Sequence, residues 1–437
     1  MRNVLLVMLT VTLFFASCKK DDVGPGVLTV NVQLNYPSGS VFTAQEGVTV
    51  KVTSSASSYE AKTDASGKAV FTLPVGVYEA SATDGRSSNG RSYVYNGVKS
   101  NVSVGANWVS TDVVALDLVE SQRSQVIIKE VFVGGTPNDA GSGTFLYDRY
   151  VVLYNNSDAV ADLSKLCLAT ITPYNAQGSN PYMVGGELSF ANSGWIPAGQ
   201  AFWYFQQNVT LEPGKEIVIA IANAVNNTVT YSRSINFDNP AYYATYDIAA
   251  FSHAATYVTP SASIPLTHYL KAARYGLGTA WTLSNTTPGF FIFNTPATTP
   301  AAFGADVSVN DQQGAAYTSK KVPVSWVIDA VDAFLLNDNG NGKRFPATID
   351  AGYVYHANRM GYSIYRNVDK AATEAITANA GKIVSGYNFG TTSIGGSSDP
   401  SGIDAEASIK AGARIIFKDD NNSTNDFHLR SQAALRK

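Results

Sequence analysis

From Val27 onward, apolar and polar residues alternate in short runs separated by turn residues. Leu28-Thr-Val-Asn-Val-Gln-Leu34 has a period of two, and Val48–Val52, Ala69–Leu73 and Val75–Ala80 repeat it. Successive side chains of a strand point to opposite faces, so each run predicts a strand with one face on a core. Between them, Asp64-Ala-Ser-Gly67 pairs an aspartate that can bond its own backbone with a glycine free of Cβ sterics, and this predicts a tight turn. Pro74 and Gly76 predict a second reversal before Tyr78. The expectation is a seven-stranded sandwich over residues 27–120. A second module begins at Val126-Ile-Ile-Lys-Glu-Val-Phe-Val133 and runs over residues 126–437.

Residues 230–322 break this pattern with a dense set of aromatic rings. A loop of this length inside a compact domain is more often functional than ornamental. Tyr242, Tyr243, Tyr246, Tyr257, Tyr269, Tyr275 and Trp281 therefore form the candidate contact surface, the alternative being that most of these rings close a satellite core beneath the segment. Gly276 after an apolar stretch predicts a short helix over 266–275. Read as an insertion, 230–322 is expected to be removable without loss of folding, at the expense of partner binding.

The leader Met1–Cys18 reads MRNVLLVMLTVTLFFASC: one basic residue, an apolar run from Val4 to Phe15, then small residues before a cysteine. The run is too short to cross the ~30 Å hydrocarbon core as a helix, so it predicts a targeting segment. It resembles a bacterial lipoprotein signal, with residues 1–17 as signal peptide and 18–26 as a lipidated tether. That resemblance implies lipidation of Cys18, and several acyl chains hold a protein on a bilayer durably where one does not. The Cys18-Lys-Lys-Asp-Asp22 start is similar to that of lipoproteins of the Bacteroidota carried to the outer face of the outer membrane, which implies anchoring there facing the exterior.

Thr63–Tyr78 resembles the turn-strand-turn-strand signature of immunoglobulin-like, prealbumin-like modules such as the carboxypeptidase regulatory domain. Ile128–Val133 and Tyr147–Leu163 resemble the opening of a lamin-tail domain, although Arg149 stands where that pattern has Glu. Tyr362–Asp369 and Asp419–Phe427 resemble its closing strand and final Asn/Asp-rich segment. The fold class expected is all-β: an immunoglobulin/prealbumin-like sandwich, then a larger lamin-tail-like β-sandwich carrying the long aromatic insertion. Asp148–Asp158, Ser263–Gly278 and Asn421–Phe427 further resemble an uncharacterised Bacteroidota lipoprotein family, a domain of unknown function often found beside outer-membrane β-barrel proteins. It implies location and architecture and supplies no activity.

Composition fits an extracytoplasmic body. Only 15% of residues are charged, against ~25% in an average globular protein, while 45% are hydrophobic and 11% aromatic. A formal net charge of −3 gives no basic field for nucleic acid. Once Cys18 is lipidated, Cys167 is the only cysteine, which excludes an intramolecular disulfide and a cysteine-based zinc site. Cys167 lies in the apolar run Leu163–Ile171 and reads as a buried, inert thiol.

No cofactor is predicted. The oxygen-rich stretch around Asp338 and Asp350 superficially resembles a calcium loop but lacks its ligand spacing and closing Glu, and it reads first as a surface turn. Ca2+ there, or a metal at His253 or His268, is the weaker alternative, since no H-x-x-x-H or H-E-x-x-H spacing occurs. No catalytic residue is singled out, and G-x-S-x-G, P-loop and dinucleotide fingerprints are absent. Two function classes follow. The first is a surface-anchored binding or accessory protein, held by the lipid bilayer through Cys18 and contacting an outer-membrane β-barrel protein, a glycan or a nutrient. The alternative is an extracytoplasmic hydrolase, for example glycan-directed, built from dispersed Asp, Glu and His.

Overall fold

The computed structural model describes residues 26–436 apart from 41, 89–90, 106, 123, 314–316 and 393–395. The signal peptide, Cys18 and the tether up to residue 25 lie outside the described residues. Among the described residues no helix is long and apolar enough to cross a membrane. The fold is all-β, with four short α-helices and several 3-10 turns between the strands among the described residues.

Among the described residues the first module has eight strands where seven were expected. Val27–Asn35 pairs antiparallel with Lys68–Pro74 and parallel with Val113–Asp117, forming a three-stranded sheet. Ser58–Lys62, Thr49–Thr53, Gly76–Ser88, Arg91–Val104 and Val119–Gln122 form a five-stranded one, in that order. The period-two runs do what their spacing dictates: Val30, Val32 and Leu34 meet Phe71 and Leu73 in one core with Val50, Val52 and Tyr95. The Asp64 turn forms as its chemistry requires. Asp64 Oδ1 accepts from the Ser66 amide (2.8 Å) and hydroxyl (2.6 Å), and Gly67 takes a φ of 78°.

In the second module two large sheets face each other. One runs Tyr243–Thr245, Glu216–Ile221, Tyr150–Asn155, Val126–Phe132, Ser363–Arg366, Phe427–Arg430. The other runs Asn310–Gln313, Tyr317–Pro323, Trp195–Tyr204, Leu166–Ile171, Gly289–Asn294, Val327–Leu335, Val354–His356, with Lys271–Arg274 also against Trp195–Tyr204. Ile128, Leu153, Leu168, Trp203, Phe290 and Val331 fill the space between them. Further apolar layers cover the outer faces: Phe303 and Phe345 pack on Phe291 and Phe293, while Ile235 and Phe237 pack on Phe132 and Val152. Strands buried on both faces lose the polar alternation, and every residue of Val126–Phe132 and of Leu166–Ile171 is buried, Lys129, Glu130 and Thr170 included.

This corrects the picture of residues 230–322 as a detachable insertion. Gly289–Asn294 sits inside the sheet, bonded to Leu166–Ile171 on one side and Val327–Leu335 on the other. Tyr243–Thr245 extends the facing sheet, parallel to Glu216–Ile221. The expected helix over 266–275 is replaced by a 3-10 turn at Leu266–His268 and a strand at Lys271–Arg274. The strand wins because its amides find partners on Trp195–Tyr204, whereas an isolated helix of under a dozen residues has a costly nucleus to form.

Candidate functional site

The two modules meet along the Asn/Asp-rich segment 419–426. Its residues bond their own backbone, as Asn and Asp do in turns: Asp426 accepts from the amides of Asp420 (2.9 Å) and Asn422 (3.0 Å). They also join the modules. Asn425 Nδ2 donates to Thr83 Oγ1 (2.7 Å), Asn96 Nδ2 donates to the Asp420 carbonyl, and the Ser124 amide donates to Asp419 (2.7 Å).

Beside this joint opens a cleft of about 1310 Å3, with one wall from each module. The first module contributes a sheet face bearing Thr49, Lys51, Thr53, Glu60, Glu79 and Ser81. On the second module, Phe334 and Tyr355 are register partners on the parallel strands Val327–Leu335 and Val354–His356. Tyr353 stacks on Phe334 (centroids 4.2 Å apart, planes at 13°) and meets Tyr355 edge-on (5.5 Å, 73°). Tyr355 is 43% exposed, so the ladder of rings opens to solvent at one end. Burial, then Tyr355, then Glu79 of the opposite wall push the Tyr353 hydroxyl well above its ordinary value, which keeps it a neutral donor.

A charged framework fixes the floor from behind. Arg344 is fully buried; Nε (2.9 Å) and Nη2 (2.6 Å) donate to Asp332 Oδ1. Its remaining donors reach the carbonyls of Tyr174 (3.0 Å), Thr287 (2.9 Å) and Pro288 (3.0 Å). Lys343, at the cleft edge, bridges Asp332 (3.3 Å) and Asp350 (3.5 Å) and donates to the Gly352 carbonyl. Asp350 accepts from the Ser423 amide (2.8 Å) and hydroxyl (2.6 Å), so the floor is tied to the intermodule joint. Burial raises the Asp350 carboxyl despite Lys343 beside it, whereas Arg344 and Lys343 overcome burial to hold Asp332 below the usual range. Gly352 is required here, because a Cβ would lie 2.0 Å from Asn422 Oδ1.

The seven rings named as a contact surface divide. Tyr243, Tyr257 and Trp281 are buried: Tyr257 and Trp281 pack on Trp203, and Tyr243 on Phe205 and His268. These three close the core and offer no face to a partner, because the strands around them need an apolar cover. Tyr275 is half-buried against Phe202. Tyr242, Tyr246 and Tyr269 are half-buried too, with Tyr246 and Tyr269 edge-on at 5.4 Å.

The metal candidates do not assemble. His253 Nδ1 bonds Thr256 Oγ1 (2.8 Å), His268 Nδ1 bonds the Tyr242 carbonyl (3.1 Å), and Asp338 accepts from the Gly340 amide (2.7 Å). Among the described residues no group of three or more His, Cys, Asp or Glu could hold a metal ion. Cys167 is buried, and burial pushes its thiol well up. Sequence reasoning passed over Phe334, Tyr353 and Tyr355, although Tyr353-Val-Tyr-His356 alternates and so sends both tyrosines one way.

Two histidines are buried and neutral. His356 Nδ1 bonds the Thr286 carbonyl (2.8 Å), and burial holds its pKa down at about 4. His428 lies between Asn367 Oδ1 (2.7 Å) and the Tyr387 hydroxyl (2.5 Å), held down at about 3 by burial and then Arg430. Both folded values lie below the ordinary 6.5, so the unfolded chain takes up protons that the native one refuses as pH falls. The stability this confers is complete above pH ~6.5 and is lost on acidification, by about 2 kcal/mol per imidazole at pH 5. Urea unfolding should therefore show the advantage of wild type over His428→Gln shrinking by about 2 kcal/mol between pH 7 and pH 5. A difference independent of pH would show that His428 is not held neutral.

Fold and cleft together define a two-module, all-β protein with an aromatic-floored cleft at its joint. Residues 212–385 contain a domain matching a family described as a protein of unknown function (DUF4876). A crystal structure of a DUF4876 family protein from Bacteroides thetaiotaomicron is similar to the chain over 92% of its length and 94% of the other's, at 20% identity and a TM-score of 0.48. A DUF3823 family protein from Parabacteroides merdae matches 43% of this chain and 97% of its own, at 10% identity and a TM-score of 0.15. The Bacillus anthracis TIE protein matches 43% of this chain and 31% of its own, at 13% identity and a TM-score of 0.17. No curated protein matches.

Proposed function

We propose that this protein is a lipid-anchored binding component of the outer membrane, facing the exterior, that holds its ligand in the cleft between its two modules. The lipoprotein-like leader and the Bacteroidota-like start at Cys18 support the address, and the resemblance to carboxypeptidase-regulatory-like and lamin-tail-like modules fits a spacer carrying a binding body. The cleft carries the binding reading: about 1310 Å3, larger than the ~300–1,000 Å3 of most small-molecule sites, with three rings gathered on one wall. Binding is favoured over hydrolysis by how the acidic groups are engaged. Asp332 and Asp350 are buried in bonds to Arg344, Lys343 and Ser423, Glu60 pairs with Lys51 (3.4 Å), and Glu79 accepts from Ser100 (2.9 Å). A general base must reach a substrate proton directly.

Two measurements test this. Cys18→Ala is expected to move the protein from the membrane to the soluble fraction, and retention after a carbonate wash would overturn the anchor. Wild type extracted in mild detergent and then denatured by heat should release a compound, seen by mass spectrometry, that Tyr353→Ala/Tyr355→Ala lacks. Identical release from both proteins would remove the cleft as the binding site.

A further inference from the structure

Resting on that reading, we infer that the ligand of the cleft is an uncharged chain of pyranose sugars, lying with ring faces on Tyr353 and Tyr355 and hydroxyl edges toward the opposite sheet. The two walls differ in chemistry. Register places Glu60, Lys51, Ser81 and Val98 in one row across four neighbouring strands. Thr49, Thr53, Thr83 and Ser100 line the cleft around that row. This wall is flat and made of short hydroxyls with a few charges. The facing wall is a ladder of three rings, of which Tyr355 is 43% exposed.

A ligand filling this space needs one apolar face and one edge rich in donors and acceptors. Burying the hydroxyl wall against an acyl chain would leave its polar groups unpartnered, at roughly 1–3 kcal/mol each. Charge argues for neutrality: Lys51, Lys343 and Lys418 stand against Glu60, Glu79 and Asp420 along the lining, with Asp350 buried behind. A phosphate or a polyanion would meet carboxylates on both walls. An extended peptide adding to a sheet could pair with the edge strand Val354–His356 but not with the first module, which turns a sheet face to the cleft, so it would match one wall and not both. A pyranose has C–H bonds on its faces and hydroxyls around its rim, which matches both walls together. The volume exceeds that of a drug-sized site, so a chain of several units fits better than one. Tyrosine suits the platform because its rigid ring loses little rotamer entropy and its hydroxyl still bonds the sugar.

The test is native electrophoresis of the soluble Cys18→Ala protein through gels containing neutral polysaccharides of glucose, mannose, xylose or galactose units. At least one should retard it, and isothermal titration with oligosaccharides of that polymer should show affinity about tenfold weaker for Tyr355→Ala in the same background. Leu266→Ala, a surface change outside the cleft lining, should bind as the parent does, and equal melting temperatures for the three proteins would show that folding is unaltered. Retardation of Tyr355→Ala equal to that of the parent overturns the inference. So does absence of retardation by every polymer, or release of a compound without sugar from heat-denatured wild type. The last result overturns the sugar while leaving the cleft as a binding site.

Discussion

Arg366→Leu is expected to prevent stable folding. The guanidinium is fully buried and holds the sandwich together from inside. Nη2 pairs with Asp329 of the facing sheet, Nε donates to the Ile128 carbonyl (2.7 Å), and Nη1 donates to the Lys418 carbonyl (2.8 Å) with Asp419 at 3.5 Å and Asp426 at 3.8 Å. Asp329 in turn accepts from the Ile128 amide (2.6 Å), and Asp419 from the Ser124 amide at the joint between modules. Leucine would leave three carboxylates in the interior without their common cation. Breaking one buried pair costs about 3–5 kcal/mol, and a domain has only ~5–15 kcal/mol in all. Circular dichroism and urea unfolding should show a protein that is unfolded or has lost most of its midpoint. An unfolding free energy within ~1 kcal/mol of wild type would mean that the cluster does not bind the sheets.

Deleting residues 230–322, with a short linker restored, should destroy the second module and not merely silence it. The deletion removes Gly289–Asn294 and so separates Leu166–Ile171 from Val327–Leu335 in mid-sheet. It also strips Phe290 and Ile292 from between the sheets and Phe291 and Phe293 from the outer layer, while unsatisfied ladder groups are left on both neighbours. Loss of a single buried phenylalanine already costs about 3–5 kcal/mol. Limited proteolysis should degrade the second module of the variant while the first, with its own core, resists. A protease-resistant second module would restore the view of this segment as an accessory insertion.

These outcomes mark where the chain spoke plainly. The first module was legible because its strands are covered on one face only, so Leu28–Leu34 and Ala69–Leu73 alternate as the pleat demands. The second was legible as β-rich but not in its connections. Gly289-Phe-Phe-Ile-Phe293 is buried on both faces, hence unbroken and apolar, and in sequence it looks like one more part of an aromatic patch. Burial explains the misplaced surface too, for Tyr243, Tyr257 and Trp281 are aromatic because the core between the two sheets must be filled. The cleft was silent for a different reason. Its walls come from residues some 270 positions apart, such as Glu79 and Tyr353, and the joint at 419–426 brings them together.

The most direct test of the binding account is amide hydrogen exchange of the purified protein before and after addition of the compound it carries from its native membrane. Protection is expected together on both walls, around 79–83 in the first module and 334–336 and 353–355 in the second. Protection confined to the aromatic segment 242–269, or none at all, would contradict it.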